Sequence, residues 1–211
     1  MKRKTDVRYL TELALLTALV LIMAYTPLGY LKTPWGVEIT FIVIPVAIGS
    51  ILLGPAAGGF LGLVFGLTSF FQCFGTSPLG AMLLGLNPFG TFFCCVVNRV
   101  LVGILPGLLY RLLRRYDRTK VAGIAVCCFL TPVLNTLLYI VGNWLIFSQA
   151  WLDIAANSYG YTGAGGLGLL GFMLSLVAVN GLAEAAACLV LGTSVCKALQ
   201  KTIYREGVRS R

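Results

Sequence analysis

The feature that most limits what this chain can fold into is the distribution of its basic residues. They sit in three clusters separated by long apolar runs. Lys2, Arg3, Lys4 and Arg8 form the first; Arg111, Arg114, Arg115, Arg118 and Lys120 the second; Lys197, Lys201, Arg205, Arg209 and Arg211 the third. Between clusters only Lys32 and Arg99 carry positive charge. The intervening runs approach or exceed the ~20 helical residues that cross a hydrocarbon core of about 30 Å. Charged residues make up 11% of the chain and apolar residues 58%. A soluble domain carries about 25% charge. The sequence therefore lacks the polar residues to coat a water-facing surface, and residues 1–211 read as one integral membrane domain.

Six apolar segments can be drawn: 9–30, 38–53, 56–74, 89–113, 121–147 and 167–199. The expected fold class is an all-α membrane protein of six transmembrane helices. The first segment has spanning length and lacks a small-residue cleavage site, so it reads as a helix, not a removed signal. Gly54-Pro55 marks a tight turn between the second and third. Four crossings separate the first basic cluster from the second, and two more separate the second from the third. All three clusters then fall on one side, as the positive-inside pattern requires, with both termini cytoplasmic. The net charge of +9 is accounted for by topology, and no nucleic-acid partner is implied.

The outer loops, 31–37, 75–88 and 148–166, are nearly neutral. They carry Thr33, Trp35, Gln72 at the end of the preceding segment, Ser77, Asn87, Trp151, Asn157, Tyr159 and Tyr161. They read either as lids over an outward-facing pocket or as interfacial aromatic belts.

Chemistry is poorly provided for. There is no histidine. The acids Asp6, Glu12, Glu38, Asp117, Asp153, Glu184 and Glu206 are scattered. No phosphate-binding loop, nucleophile elbow or metalloprotease motif occurs. The seven cysteines include two vicinal pairs, Cys94–Cys95 and Cys127–Cys128, and no CxxC spacing. They read as small apolar fillers of helix interfaces, with Cys73 near the outer surface. No enzyme activity, cofactor or metal is expected.

Two stripes of small residues stand out. Gly54, Gly58, Gly62 and Gly66 recur every fourth position in the third segment, a pattern that lets membrane helices pack closely. Ala14 and Ala18 make a similar pair in the first segment. The glycine stripe reads as an internal helix contact; for the Ala14–Ala18 pair, spacing alone leaves internal packing and docking onto another subunit equally open.

Polar groups within the membrane are costly and tend to face a cavity or a partner. At 1.5 Å per residue, Arg99 lies roughly 16 Å below the outer end of its segment. Asn135, Tyr139 and Asn143 share one face of the fifth segment at depths of roughly 21, 15 and 9 Å. Asn180 lies about 20 Å deep. Asn98, Arg99, Asn135, Tyr139 and Asn180 thus form one layer, the expected floor of a pocket. Gln72, Trp35 and Asn143 complete the candidate binding set. Phe70, Phe71, Phe74, Phe89 and Trp144 are the expected apolar walls. Arg99 offers a charged fork for a carboxylate, and the asparagines offer donors and acceptors for amides and hydroxyls. The competing reading pairs Arg99 with Glu184 in a structural ion pair.

The runs LGPAAGGFLGLVFGLTSF, NPFGTFFCCVVNRVLVGILPGLLYRLL and NGLAEAAACLVLGTSVCKAL, with the Ala14–Ala18 pair and six segments, carry a resemblance over nearly the whole chain. The sequence resembles the substrate-binding S components of energy-coupling factor (ECF) vitamin transporters, most closely the pantothenate type. The resemblance implies a bacterial plasma-membrane protein that binds a vitamin from outside. It also implies as partners a transmembrane coupling (T) subunit, docked at Ala14 and Ala18, and two cytosolic ATPase subunits. Arg99 would take the vitamin carboxylate, and Asn135, Asn180 and Gln72 its amide and hydroxyls. Folate or riboflavin as ligand, and a stand-alone ion-coupled carrier using Glu184, are the alternatives.

Overall fold

The computed structural model describes residues 7–26, 29–32, 38–114, 121–159 and 166–209. The order is α1 (Val7–Tyr25), β1 (Tyr30–Lys32), β2 (Glu38–Thr40), α2 (Val43–Leu52), α3 (Pro55–Gln72), α4 (Pro78–Leu86), α5 (Pro88–Phe92), a π-helical turn (Phe93–Val97) and α6 (Asn98–Leu113). There follow α7 (Ala122–Tyr159), α8 (Gly166–Ala187), a second π-helical turn (Cys188–Gly192) and α9 (Thr193–Arg209). Among the described residues, five stretches are long and apolar enough to cross a membrane: Val7–Tyr25, Pro55–Gln72, Pro88–Leu113, Ala122–Asn157 and Asn180–Lys201. Val43–Leu52 and Gly168–Ala178 are shorter apolar helices. The chain is an all-α membrane protein with one small antiparallel strand pair, in which Tyr30 faces Thr40 and Lys32 faces Glu38.

Three departures from the sequence expectation bear on the site. The second segment is helical for only ten residues, because its start is taken up by β2. The stretch 75–88 is not an open loop. Ser77 accepts a hydrogen bond at Oγ from the Gly80 N–H, and Pro78 occupies the first helical turn, so α4 forms. Asn87 and Pro88 repeat the device for α5. Both pairs follow the rule that a short polar cap and a proline open helices. Finally, the fifth segment does not end near 147. Helix α7 continues to Tyr159 through a local break at Phe147, whose φ and ψ are −121° and 26°. Residues 148–159, expected in a loop, are therefore helical.

The glycine stripe packs α3 onto α6 and the π-helical turn before it. A Cβ on Gly58 would strike the Gly103 carbonyl, and one on Gly62 the Arg99 carbonyl. A Cβ on Gly66 would lie 2.8 Å from the Val96 Cα. Ser50 of α2 joins them, donating its hydroxyl to the Gly103 carbonyl. Helix α1 buries Leu16, Val20 and Ala24. Ala14 and Ala18 are exposed on the opposite side, so they take no part in packing within the chain. All seven cysteines are free and buried, Cys73 included, as fillers at helix contacts.

Two large apolar cores result among the described residues, beside a smaller cluster at Cys73, Cys95 and Val96. One joins α1, α2, α3, α7, the second π-helical turn and α9 around Val20, Val46, Phe65, Cys128 and Cys196. The other joins α4, α7 and α8 around Leu83, Ile140, Phe147, Trp151 and Met173. The space between polar side chains and this second core is the cavity described next.

Candidate functional site

A cavity of about 610 Å³ opens among α3, α4, α6, α7 and α8. That volume suits a small organic molecule. Its apolar wall is built by Leu79, Met82 and Leu83 of α4, Ile140, Trp151 and Ile154 of α7, and Met173, Leu176 and Val177 of α8. Its polar groups include Gln72, Arg99, Asn135, Thr136, Tyr139, Asn143 and Glu184, with Thr40, Ser69, Ser77 and Thr91.

Arg99 is the second residue after the first π-helical turn. Such turns bend the usual bonding register and concentrate at functional sites. Its Nη1 donates to the Cys95 carbonyl at 3.3 Å, and its guanidinium carbon lies 4.5 Å from the centroid of the Phe65 ring. That stacking fixes the plane of the fork. Its Nε is buried and has no partner. Buried donors are rarely left so. A ligand acceptor in the cavity would complete the set.

Glu184 does not pair with Arg99. Its Oε1 accepts a hydrogen bond from the Thr40 backbone N–H at 2.6 Å, tying α8 to β2. Its Oε2 is buried without a partner. The structural ion pair weighed from the sequence is absent, and both residues face the cavity instead.

Of the eight residues singled out in the sequence, Gln72, Arg99, Asn135, Tyr139 and Asn143 line the cavity. Gln72 donates through Nε2 to the Ala24 carbonyl at 2.7 Å, holding α1 beside the rim. Asn98 and Asn180 are buried but are not part of the wall. Asn98 turns toward α7, where its Nδ2 donates to the Leu138 carbonyl at 2.9 Å, and Gly142 leaves room for it. Depth places a residue in a layer; its direction around the helix axis decides what it meets. Trp35 lies outside the described residues, as do Thr33 and Tyr161.

The expected aromatic walls are also corrected. Phe70, Phe71, Phe74, Phe89 and Trp144 do not line the cavity. Phe71 and Phe74 are exposed, and Phe89 is 89% exposed. Phe70 packs edge-on against Phe74 and Phe92, with centroids 5.4 and 5.3 Å apart. Among the described residues two aromatics reach the cavity: Tyr139, and Trp151, which the sequence reading put in a lid loop. Thr136 and the α4 leucines were also missed. Thr136 adjoins Asn135, and the Ser77-Pro78 pair that opens α4 was the available signal.

The residues present favour recognition over reaction. No group of three metal-ligating side chains occurs among the described residues. A cationic fork, a carboxyl, side-chain amides, a phenol and an apolar wall together suit a polar, partly branched acid.

Comparison with known proteins supplies the remaining finding. The model of the family described as ECF transporter, substrate-specific component matches residues 8–195. The chain is 31% identical over 194 residues to the pantothenic acid transporter PanT of Lactococcus lactis subsp. cremoris, covering 87% of this chain and 88% of that protein. It is 27% identical over 203 residues to the pantothenate transporter PanT of Leuconostoc mesenteroides subsp. mesenteroides, covering 95% of this chain and 93% of that protein.

Proposed function

Because this chain belongs to the family of substrate-specific components of ECF transporters, a multi-pass plasma-membrane transport component in bacteria, we propose that its cargo is pantothenate, bound from the extracellular side. The observation that carries this reading is the unpartnered Arg99 Nε in a cavity of about 610 Å³. Pantothenate is a monoanion with one amide, two hydroxyls and a branched dimethyl carbon. Its carboxylate meets the Arg99 fork, where a charge-assisted bond out of bulk water is strong. Asn135, Tyr139 and Gln72 serve the amide. Leu79, Met82 and Trp151 enclose the dimethyl group. The names of the two relatives support the same ligand.

The three basic clusters support a cytoplasmic location for both termini. Ala14 and Ala18, exposed on α1 away from its buried face, support docking onto a transmembrane coupling subunit that works with two cytosolic ATPases. Residues this small let a partner helix approach closely.

Calorimetric titration of the purified protein with pantothenate tests the ligand. The wild type binds, and Arg99→Ala loses most of the affinity. An Arg99→Ala protein that binds as tightly as the wild type removes Arg99 from the site. Failure of the wild type to bind removes pantothenate as the cargo.

A further inference from the structure

The cavity holds a second buried polar atom without a partner, a carboxyl oxygen. Glu184 is 6% exposed. One of its oxygens, Oε1, is fixed by the Thr40 N–H at 2.6 Å. The other, Oε2, is buried without any hydrogen bond, on a side chain that lines the cavity. Arg99, a cation on the same wall, is turned to the Phe65 ring and the Cys95 carbonyl. The wall of the cavity thus carries one orphaned donor, Arg99 Nε, and one orphaned acceptor, Glu184 Oε2. A molecule satisfying both has an acceptor at one end and an O–H or N–H donor elsewhere. Resting on the pantothenate reading above, we propose that Glu184 is a specificity-determining residue of this site: Oε2 accepts a hydrogen bond from a ligand hydroxyl while Oε1 stays on Thr40.

The geometry supports this role in two ways. The Thr40 bond holds the carboxyl in place before ligand arrives, so little rotamer freedom is lost on binding. An ionised carboxyl only accepts, so an acid of the same shape without hydroxyls, its amide taken up by Asn135, Tyr139 and Gln72, offers Oε2 no donor. Sites that bury a polar group against its partner reject the analogue lacking that partner far more strongly than apolar pockets reject a missing methylene. Selection for hydroxylated acids follows. Because Oε1 belongs to Thr40, the same carboxyl joins the ligand to β2, beside the rim.

The test compares two acids on two proteins. The first acid is pantothenate. The second is its dideoxy analogue, which keeps the carboxylate, the amide and the branched carbon but has hydrogen in place of both hydroxyls. Glu184→Gln keeps an oxygen for the Thr40 N–H and replaces the ligand-facing acceptor with an amide donor. Calorimetry on the wild type is expected to show pantothenate binding roughly tenfold to a hundredfold tighter than the analogue, the range for a hydrogen bond to a charged group. In Glu184→Gln the amide can meet the hydroxyl oxygen only through a neutral hydrogen bond, so that preference is expected to shrink to within about threefold, through weaker pantothenate binding. An undiminished preference in the variant overturns the role of Glu184 and leaves the pantothenate reading intact. The comparison on the wild type needs no variant to fold: equal affinity for both acids overturns the inference by itself. A wild type that binds neither acid overturns the pantothenate reading and this inference with it.

Discussion

Asn143 Oδ1 accepts a hydrogen bond from the Trp151 indole Nε1 at 3.4 Å, across the break in α7 at Phe147. The Asn143 Nδ2 donates to the Tyr139 carbonyl at 2.9 Å. Asn143 is fully buried, so both ends of its amide are used within the protein. A residue whose spacing placed it among the ligand-binding groups acts chiefly on its neighbour. It sets the indole against the cavity and braces the two halves of α7.

Asn143→Leu should therefore damage the fold and the wall together. The indole N–H would be left unpaired in a buried position, a cost of about 1–3 kcal/mol. Thermal melting of the purified protein in detergent should fall accordingly. Tryptophan emission should shift as Trp151 loses its fixed position. An unaltered melting temperature and spectrum would mean that the bond contributes nothing.

Arg99→Lys separates charge from geometry. Lysine keeps the positive charge but loses the planar fork and its stacking on Phe65. Pantothenate affinity is expected to fall about tenfold, less than in Arg99→Ala. Full affinity in the lysine variant would show that the site needs a point charge and not a fork.

Gly58→Val should disturb the contact between α3 and α6. Its Cβ would meet the Gly103 carbonyl, which is backbone, and the Ser50 side chain, which is held by its hydrogen bond to that carbonyl. Overpacking of this kind costs about 1–3 kcal/mol. Gly85 is the control, because a Cβ there meets nothing within 4 Å. Gly85→Ala should leave the melting temperature level or slightly raised, by about 0.4–1 kcal/mol of unfolded-chain entropy. Equal loss in both variants would contradict the assignment of the stripe to helix packing.

Ala14→Trp tests docking. Ala14 is exposed, and on the side of α1 away from Leu16 and Val20 a large side chain meets no part of this chain's core. Pantothenate binding should persist. Co-purification with the coupling subunit and ATPases, expressed together, should be lost. A complex that survives the tryptophan would place the docking surface elsewhere.

The sequence carried much of this site for a definite reason. Asn135, Tyr139 and Asn143 repeat at four-residue spacing, and on a helix that alone puts them on one face. Arg99 is the sole base within the long apolar run 89–110, and a cost of that kind in lipid needs a cavity or a partner. The glycine stripe was legible in the same way, since nothing but close packing uses glycine every fourth residue in an apolar helix.

The phenylalanines were not legible. In water an apolar stripe marks the core, whereas in lipid the outside is apolar as well. Phe71, Phe74 and Phe89 satisfy the pattern equally well facing outward, as they do. Helix α4 was obscured because its glycines and prolines resemble a loop, although Ser77-Pro78 is a start signal.

By itself, then, the sequence determined that this chain lives in a membrane, where its apolar segments run, where its basic clusters fall, and that Asn135, Tyr139 and Asn143 share one helix face. These follow from composition and from the fixed rise and turn of a helix. Only the tertiary structure decided that Glu184 holds Thr40 instead of Arg99, that Asn98 turns to α7, and that Trp151 forms a wall. Those outcomes depend on the rotation of each helix about its axis and on contacts between residues far apart in the chain. With lipid as apolar as the protein interior, local pattern carries no information about either.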